Sequence, residues 1–143
     1  MKKSHISGKV EKHLGRGRRL GYPTANLDTK TKLAEGIYLG LVKKIKGGTL
    51  PPLFLRKLLP RSSLFDTKAG LPSLVFIGKA ETFGEQKRLV EVHILDFNQE
   101  IYGCQLEAEV IKKIRDSQKF ETEEDLIEQM KDDELTAREY FKS

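Results

Sequence analysis

The chain predicts a mostly-β fold: a closed or nearly closed antiparallel barrel of five or six short strands, followed by one C-terminal helix. Three observations predict it. Apolar and polar residues alternate with period two in five separate stretches, the pattern of strands that bury one face. Turn-forming clusters, not helical segments, separate those stretches, so neighbouring strands pair antiparallel. At 143 residues the chain is also long enough to enclose one ordinary hydrophobic core.

The first strand is read over 5–13, HISGKVEKH. After it comes GRGRRLGYPTANL (15–27), which sets three glycines and three arginines within residues 15–21 and then a proline, Thr24 and Asn26. The second long alternating stretch is GIYLGLVKKI (36–45), closed by the turn residues KGG at 46–48. Residues 47–72 are the least regular part: Pro51, Pro52 and Pro60 deny them a long strand, and they read as an atypical insertion in a single domain spanning 1–143. SLVFIGKAETF (73–83) and RLVEVHILDF (88–97) follow, separated by FGEQK. In the latter, Val90, Val92 and Ile94 share one face while Glu91, His93 and Leu95 share the other. The turn FNQEIYG (97–103) leads to a last strand, QLEAEVIKKI (105–114). The tail, about 122–141, spaces Leu126, Ile127, Met130, Ala137 and Phe141 as a helix does. Thr122 with Asp125 resembles a capping box, and acids crowd the first turn, where the helix dipole favours them. The paired Asp132-Asp133 reads as a break or an exposed turn.

Charge is unevenly placed. Residues 1–79 hold 17 Lys and Arg against 4 Asp and Glu, whereas residues 80–143 hold 9 against 17. A basic front half suits a polyanion: nucleic acid, a nucleotide or an acidic lipid. No apolar run is long enough to span a membrane, and MKKSHISGKV lacks the apolar segment of a secretory signal. The lone Cys104 forms no internal disulfide and fits a reducing, cytoplasmic setting as a small buried strand residue. Three scattered histidines and one cysteine lack the spacing of a zinc site.

The glycine-arginine stretch admits more than one chemistry. Gly15, Gly17 and Gly21 let backbone N–H groups approach an anion, and Arg16, Arg18 and Arg19 add charged donors, yet a plain basic loop has the same composition. It is not a Walker A loop, because GxxxxGK[ST] and its strand-to-helix setting are missing. Thr24 and Asn26 stand two apart after a stiffening Pro23, so in extended backbone their neutral oxygens point to one side. Such hard donors suit Mg2+ on a nucleotide, and equally a structural turn. Glu91 could take a proton from an attacking hydroxyl if the fold brings it near Thr24 and Asn26; otherwise it belongs to a solvated strand face.

Taken in order, GKVEKHLGRGRRLGYPTANL, EGIYLG, FIGKAETFG, VEVHILDFNQEIYG and IRDSQKF with its trailing helix resemble the riboflavin kinase family. The resemblance covers nearly the whole chain except 47–72. It implies a six-stranded antiparallel Greek-key β-barrel with a C-terminal α-helix. It also implies transfer of the γ-phosphoryl of ATP to the 5′-hydroxyl of riboflavin, giving FMN and ADP. Carried onto this sequence, Thr24 and Asn26 bind Mg2+ (with Zn2+ or Mn2+ as substitutes) and the nucleotide phosphates, and Glu91 is the base. Gly15, Gly17, Arg19 and Gly21 wrap the ATP phosphates, while Ile94, Asp96 and Tyr102 lie near the nucleotide. Residues 115–120 form a flap over the flavin, with Arg115, Gln118 and Phe120 as its contacts. Three positions depart from the family pattern: His13 and Ser117, which stand for a usual glycine and a usual acid, and Glu81, which replaces the proline of Pro-Thr-Phe. A cytoplasmic monomer is implied, without membrane or nucleic-acid partner. The chain begins at the kinase motif, so FAD synthesis is expected to need a separate FMN adenylyltransferase.

Two other functions compete with a kinase. A small basic barrel can bind single-stranded nucleic acid by stacking bases on exposed aromatics, for which Tyr22, Tyr38 and Phe83 are the candidates. A barrel of this type can also bind flavin without turning it over.

Overall fold

Alternation turns one face of every strand inward, and the inward faces close on one another. The computed structural model describes residues 4–11, 24–46, 66–79, 88–97, 101 and 103–142. Within them run β1 (Ser4–Glu11), β2 (Ala25–Asp28), β3 (Gly36–Lys46), β4 (Asp66–Lys79), β5 (Arg88–Ile94), β6 (Gln105–Arg115) and α1 (Glu123–Tyr140). The strands form a closed barrel in the order β1-β2-β5-β4-β3-β6, every neighbouring pair antiparallel. Closure satisfies the backbone donors and acceptors that an open sheet leaves at its edges. β3, β4 and β5 form a meander, and β6 returns to lie between β1 and β3.

The interior holds Ile6 and Val10 of β1, Ala25 and Leu27 of β2, and Tyr38, Val42 and Ile45 of β3. Val75, Ile77, Val90, Val92, Ile94, Leu106, Ala108 and Val110 complete it from β4, β5 and β6. Cys104, one residue before β6, is buried with them, and burial pushes its thiol pKa up. A second apolar layer lies outside the barrel. There Ile37, Leu39, Leu74 and Leu95 pack with Ala137 of α1, flanked by Phe76, Ile114 and Phe141. β3 is therefore apolar on both faces, since one fills the barrel and the other meets the helix. Gly8 is dictated by a close approach: a Cβ there would collide with the Asp28 carbonyl as β1 passes β2.

The expected strands are present, with shifted ends, and several features differ from the sequence expectation. β2 is an additional four-residue strand, too short to show alternation. β4 starts at Asp66, so 66–72 is strand and only the remainder of the irregular segment, 47–65, lies outside the described residues. The irregularity enters β4 as a slip in register: Val42 pairs with Leu71, but Lys44 pairs with Asp66, and Gly70 takes a φ of 84°. Pro72 gives no N–H, but its carbonyl accepts the Leu95 N–H at 2.9 Å. Tyr38 is buried, not exposed, and its hydroxyl donates to the Ala34 carbonyl at 2.6 Å.

The expected break at Asp132-Asp133 does not occur: α1 runs unbroken through both residues. Asp133 is 2% exposed and paired with Arg115, so its charge points into the protein instead of ending the helix. The expected start is present, with Thr122 Oγ1 accepting the Asp125 N–H at 3.1 Å.

Candidate active site

β2 and β5 bring the two halves of the expected chemistry together. In their register Asn26 stands directly opposite Glu91, flanked by Ala25 opposite Val92 and Leu27 opposite Val90. Directly opposed residues carry their Cβ atoms about 5 Å apart on the same face. Because Ala25, Leu27, Val90 and Val92 fill the barrel, Asn26 and Glu91 both face outward. The row continues on either side, with Glu11 of β1 opposite Asn26 and Phe76 of β4 opposite Glu91. Phe76 also packs in the layer beneath α1, so the row runs into the edge of the helix-covered face.

Asn26 is 7% exposed, and its buried Oδ1 accepts no hydrogen bond. Leaving such an oxygen unmatched costs about 1–3 kcal/mol, which a ligand can offset. Thr24 is half-buried just before β2 and, two residues from Asn26, falls on the same outward side. Two neutral oxygen donors, one of them unmatched and buried, fit a hard divalent cation that takes its other ligands from phosphate and water. Glu91 is half-buried, and His93, on the same face, is buried at 6% exposure.

The other expected residues are placed less uniformly. The Ile94 side chain points into the core. Asp96 is exposed in the turn after β5 at φ 57°, a left-handed conformation that Asp tolerates. Its carboxylate accepts hydrogen bonds from Arg138 at 2.8 and 3.1 Å, a tie from α1 that sequence patterning does not reveal. That hydrogen bonding holds the Asp96 carboxyl below its usual pKa of 3.8. A depressed carboxylate pKa contributes stability above the unfolded value and loses it as pH falls through the folded one. Asp96→Asn should therefore be less stable than the parent near neutrality, by under about 1 kcal/mol because the pair is exposed. The difference should shrink between neutrality and a pH well below 3.8, as the carboxylate is protonated through its lowered folded value. Urea denaturation at both pH values checks it, and an undiminished difference in acid would contradict the assignment.

Arg115 is the last residue of β6, with Gln118 exposed and Phe120 half-buried beyond it. Ile37 lies opposite both Phe76 and Arg115, which puts Arg115 in the same cross-strand row as Glu91. Three strand spacings separate the two, about 14 Å around the barrel. Gly15, Gly17, Arg19, Gly21 and Tyr102 lie outside the described residues. Two open cavities, of about 330 Å³ beside His5, Lys43 and Glu107 and about 590 Å³ beside Leu135 and Tyr140, border neither Asn26 nor Glu91. The candidate site is therefore placed at the paired residues, where a buried amide oxygen and a carboxylate share one face.

The architecture is that of the riboflavin kinase barrels. The crystal structure of riboflavin kinase from Trypanosoma brucei matches with a TM-score of 0.62, over 100% of this chain and 82% of that one. At 20% identity that likeness is one of fold. The family model described as Flavokinase, riboflavin kinase, matches residues 1–141, and the chain belongs to this family.

The chain is 32% identical over 138 residues to the bifunctional riboflavin kinase/FMN adenylyltransferase of Escherichia coli K12, covering 95% of this chain and 37% of that protein. It is 31% identical over 130 residues to the RNA-binding riboflavin kinase RibR of Bacillus subtilis 168, covering 90% and 47%. The chain thus spans less than half the length of these relatives. Among the described residues no helix is long and apolar enough to cross a membrane.

Proposed function

We propose that the chain is a riboflavin kinase, transferring the γ-phosphoryl of ATP to the 5′-hydroxyl of riboflavin to give FMN and ADP. The observation that carries this is the pairing of Glu91 with Asn26, whose buried Oδ1 has no hydrogen-bond partner. Glu91 accepts the proton of the 5′-hydroxyl as its oxygen attacks the γ-phosphorus, and ADP leaves with the electrons of the broken bond. Thr24 and Asn26 would hold Mg2+, or Mn2+ or Zn2+ in its place. When bound, the cation neutralises phosphate charge and helps align the nucleotide. Gly15, Gly17, Arg19 and Gly21 supply backbone and guanidinium donors to the phosphates, and Asp96 and Tyr102 border the nucleotide. Phosphoryl transfer depends on positioning and charge neutralisation, which a rigid two-strand platform provides.

Purified protein given riboflavin, ATP and Mg2+ should form FMN, read by chromatography. Failure to form it across a panel of nucleoside triphosphates and divalent metals would sink the proposal. Flavin binding without FMN would instead support a domain that does not turn its ligand over. A nucleic-acid-binding barrel has less support, because Tyr38, one of three aromatics it would use for stacking, is buried. The adenylyl transfer named for the E. coli relative forms no part of this proposal. We place the protein in the cytoplasm as a monomer.

A further inference from the structure

The direct flavin contact expected of Arg115 meets a competing set of bonds, because each of its guanidinium nitrogens already donates one. Nε donates to Asp133 Oδ1 and Nη2 to Asp133 Oδ2, both at 2.7 Å. Nη1 donates to the Asp116 carbonyl at 3.1 Å, and the guanidinium carbon lies 6.0 Å from the centre of the Phe120 ring. Asp133 Oδ1 also accepts from Gln129 Nε2 at 3.2 Å. A carboxylate buried this deeply is costly, and an apolar residue on this face of α1 would pack without that cost. What the ion pair adds is orientation. The fork fixes a planar guanidinium at the end of β6, and that plane holds segment 116–120 at both ends. It holds Asp116 by its carbonyl and Phe120 by its ring.

We infer that Asp133 is a positioning residue for the flavin, acting through Arg115 to hold Gln118 and Phe120 in the conformation that receives the ring system. This rests on the proposed riboflavin kinase activity and on the expectation, from the family resemblance, that segment 115–120 contacts riboflavin. The ligand is a flat aromatic, whose recognition depends on an aromatic side chain held at a fixed angle. Ordering the segment before the ligand arrives removes part of the entropic cost of binding. Asp133 touches no substrate, so its loss should weaken flavin binding selectively.

The test compares wild type with Asp133→Asn, Arg115→Lys and Phe120→Leu, at a temperature where circular dichroism shows each folded. Riboflavin binding is followed by quenching of flavin fluorescence, and the KM for ATP is measured in parallel. Asp133→Asn and Phe120→Leu should each raise the riboflavin Kd roughly tenfold, with the KM for ATP within about twofold of wild type. Arg115→Lys keeps the charge but loses the fork, and should follow them. Unchanged flavin affinity in a folded Asp133→Asn protein overturns the inference, and so does normal flavin binding by Phe120→Leu. An equal rise in both constants would mark a general loosening and overturn it as well. If Asp133→Asn does not fold, the other two variants decide. A wild-type protein that binds no riboflavin overturns the flavin assignment itself, whereas normal binding by Asp133→Asn beside weakened binding by Phe120→Leu overturns only the role of Asp133.

Discussion

Glu91→Gln should lower kcat by about 10²- to 10⁴-fold while riboflavin still binds with near wild-type affinity. Glutamine keeps the shape of the side chain and its place between Asn26 and Phe76, but it cannot accept the proton. Glu91 sits on the outer face of β5, whose opposite face supplies Val90, Val92 and Ile94 to the core, so the change leaves the packing untouched. The effect should therefore appear in kcat with the KM for riboflavin little altered, as when an interaction of the transition state is removed. Single-turnover FMN formation with equilibrium flavin binding on the same preparation separates the two. A kcat within about threefold of the parent would show that proton removal contributes little, and positioning by the Thr24–Asn26 side would have to carry the rate.

The barrel was legible because five strands alternate over seven residues or more and their apolar positions have somewhere to go. β2 was not, since ANLD is too short to establish a period and its place follows from partners on both sides. The chemistry shows the same division. PTAN and VEVH each mark a residue type suited to the reaction, but nothing local says that Asn26 and Glu91 are opposite one another. That is a property of topology, and it rests on β5 lying next to β2 instead of β6. Tyr38 was misread because alternation assigns a residue to a face without saying what covers that face. β3 buries both faces, so its polar-looking side offered no contrast. Arg138 and Asp96 were invisible as a pair for a similar reason, because the contact depends on how α1 docks.

Asp133→Ala should be among the most damaging single changes outside the core, costing about 3 kcal/mol or somewhat more. Two adjacent acids in a helix suggest solvent, and Asp132 is indeed exposed; one position on, the carboxylate faces inward. Removing it leaves the Arg115 guanidinium, 18% exposed, without its bidentate partner, and deprives Gln129 of an acceptor. The magnitude belongs at the lower end of the range for broken buried pairs, because Arg115 retains some solvent and its bond to Asp116. For a chain of this size that corresponds to a fall in Tm of about 10 °C. A double variant, Asp133→Leu with Arg115→Met, separates the charge from the contact. If the single variant fails because an unpaired charge is left behind, replacing both partners with apolar groups should recover most of the lost stability. Urea unfolding of the parent, the single variant and the double variant measures this directly. A double variant as unstable as the single one would show that the specific geometry of the fork, and not the penalty of an uncompensated charge, holds α1 against the end of β6.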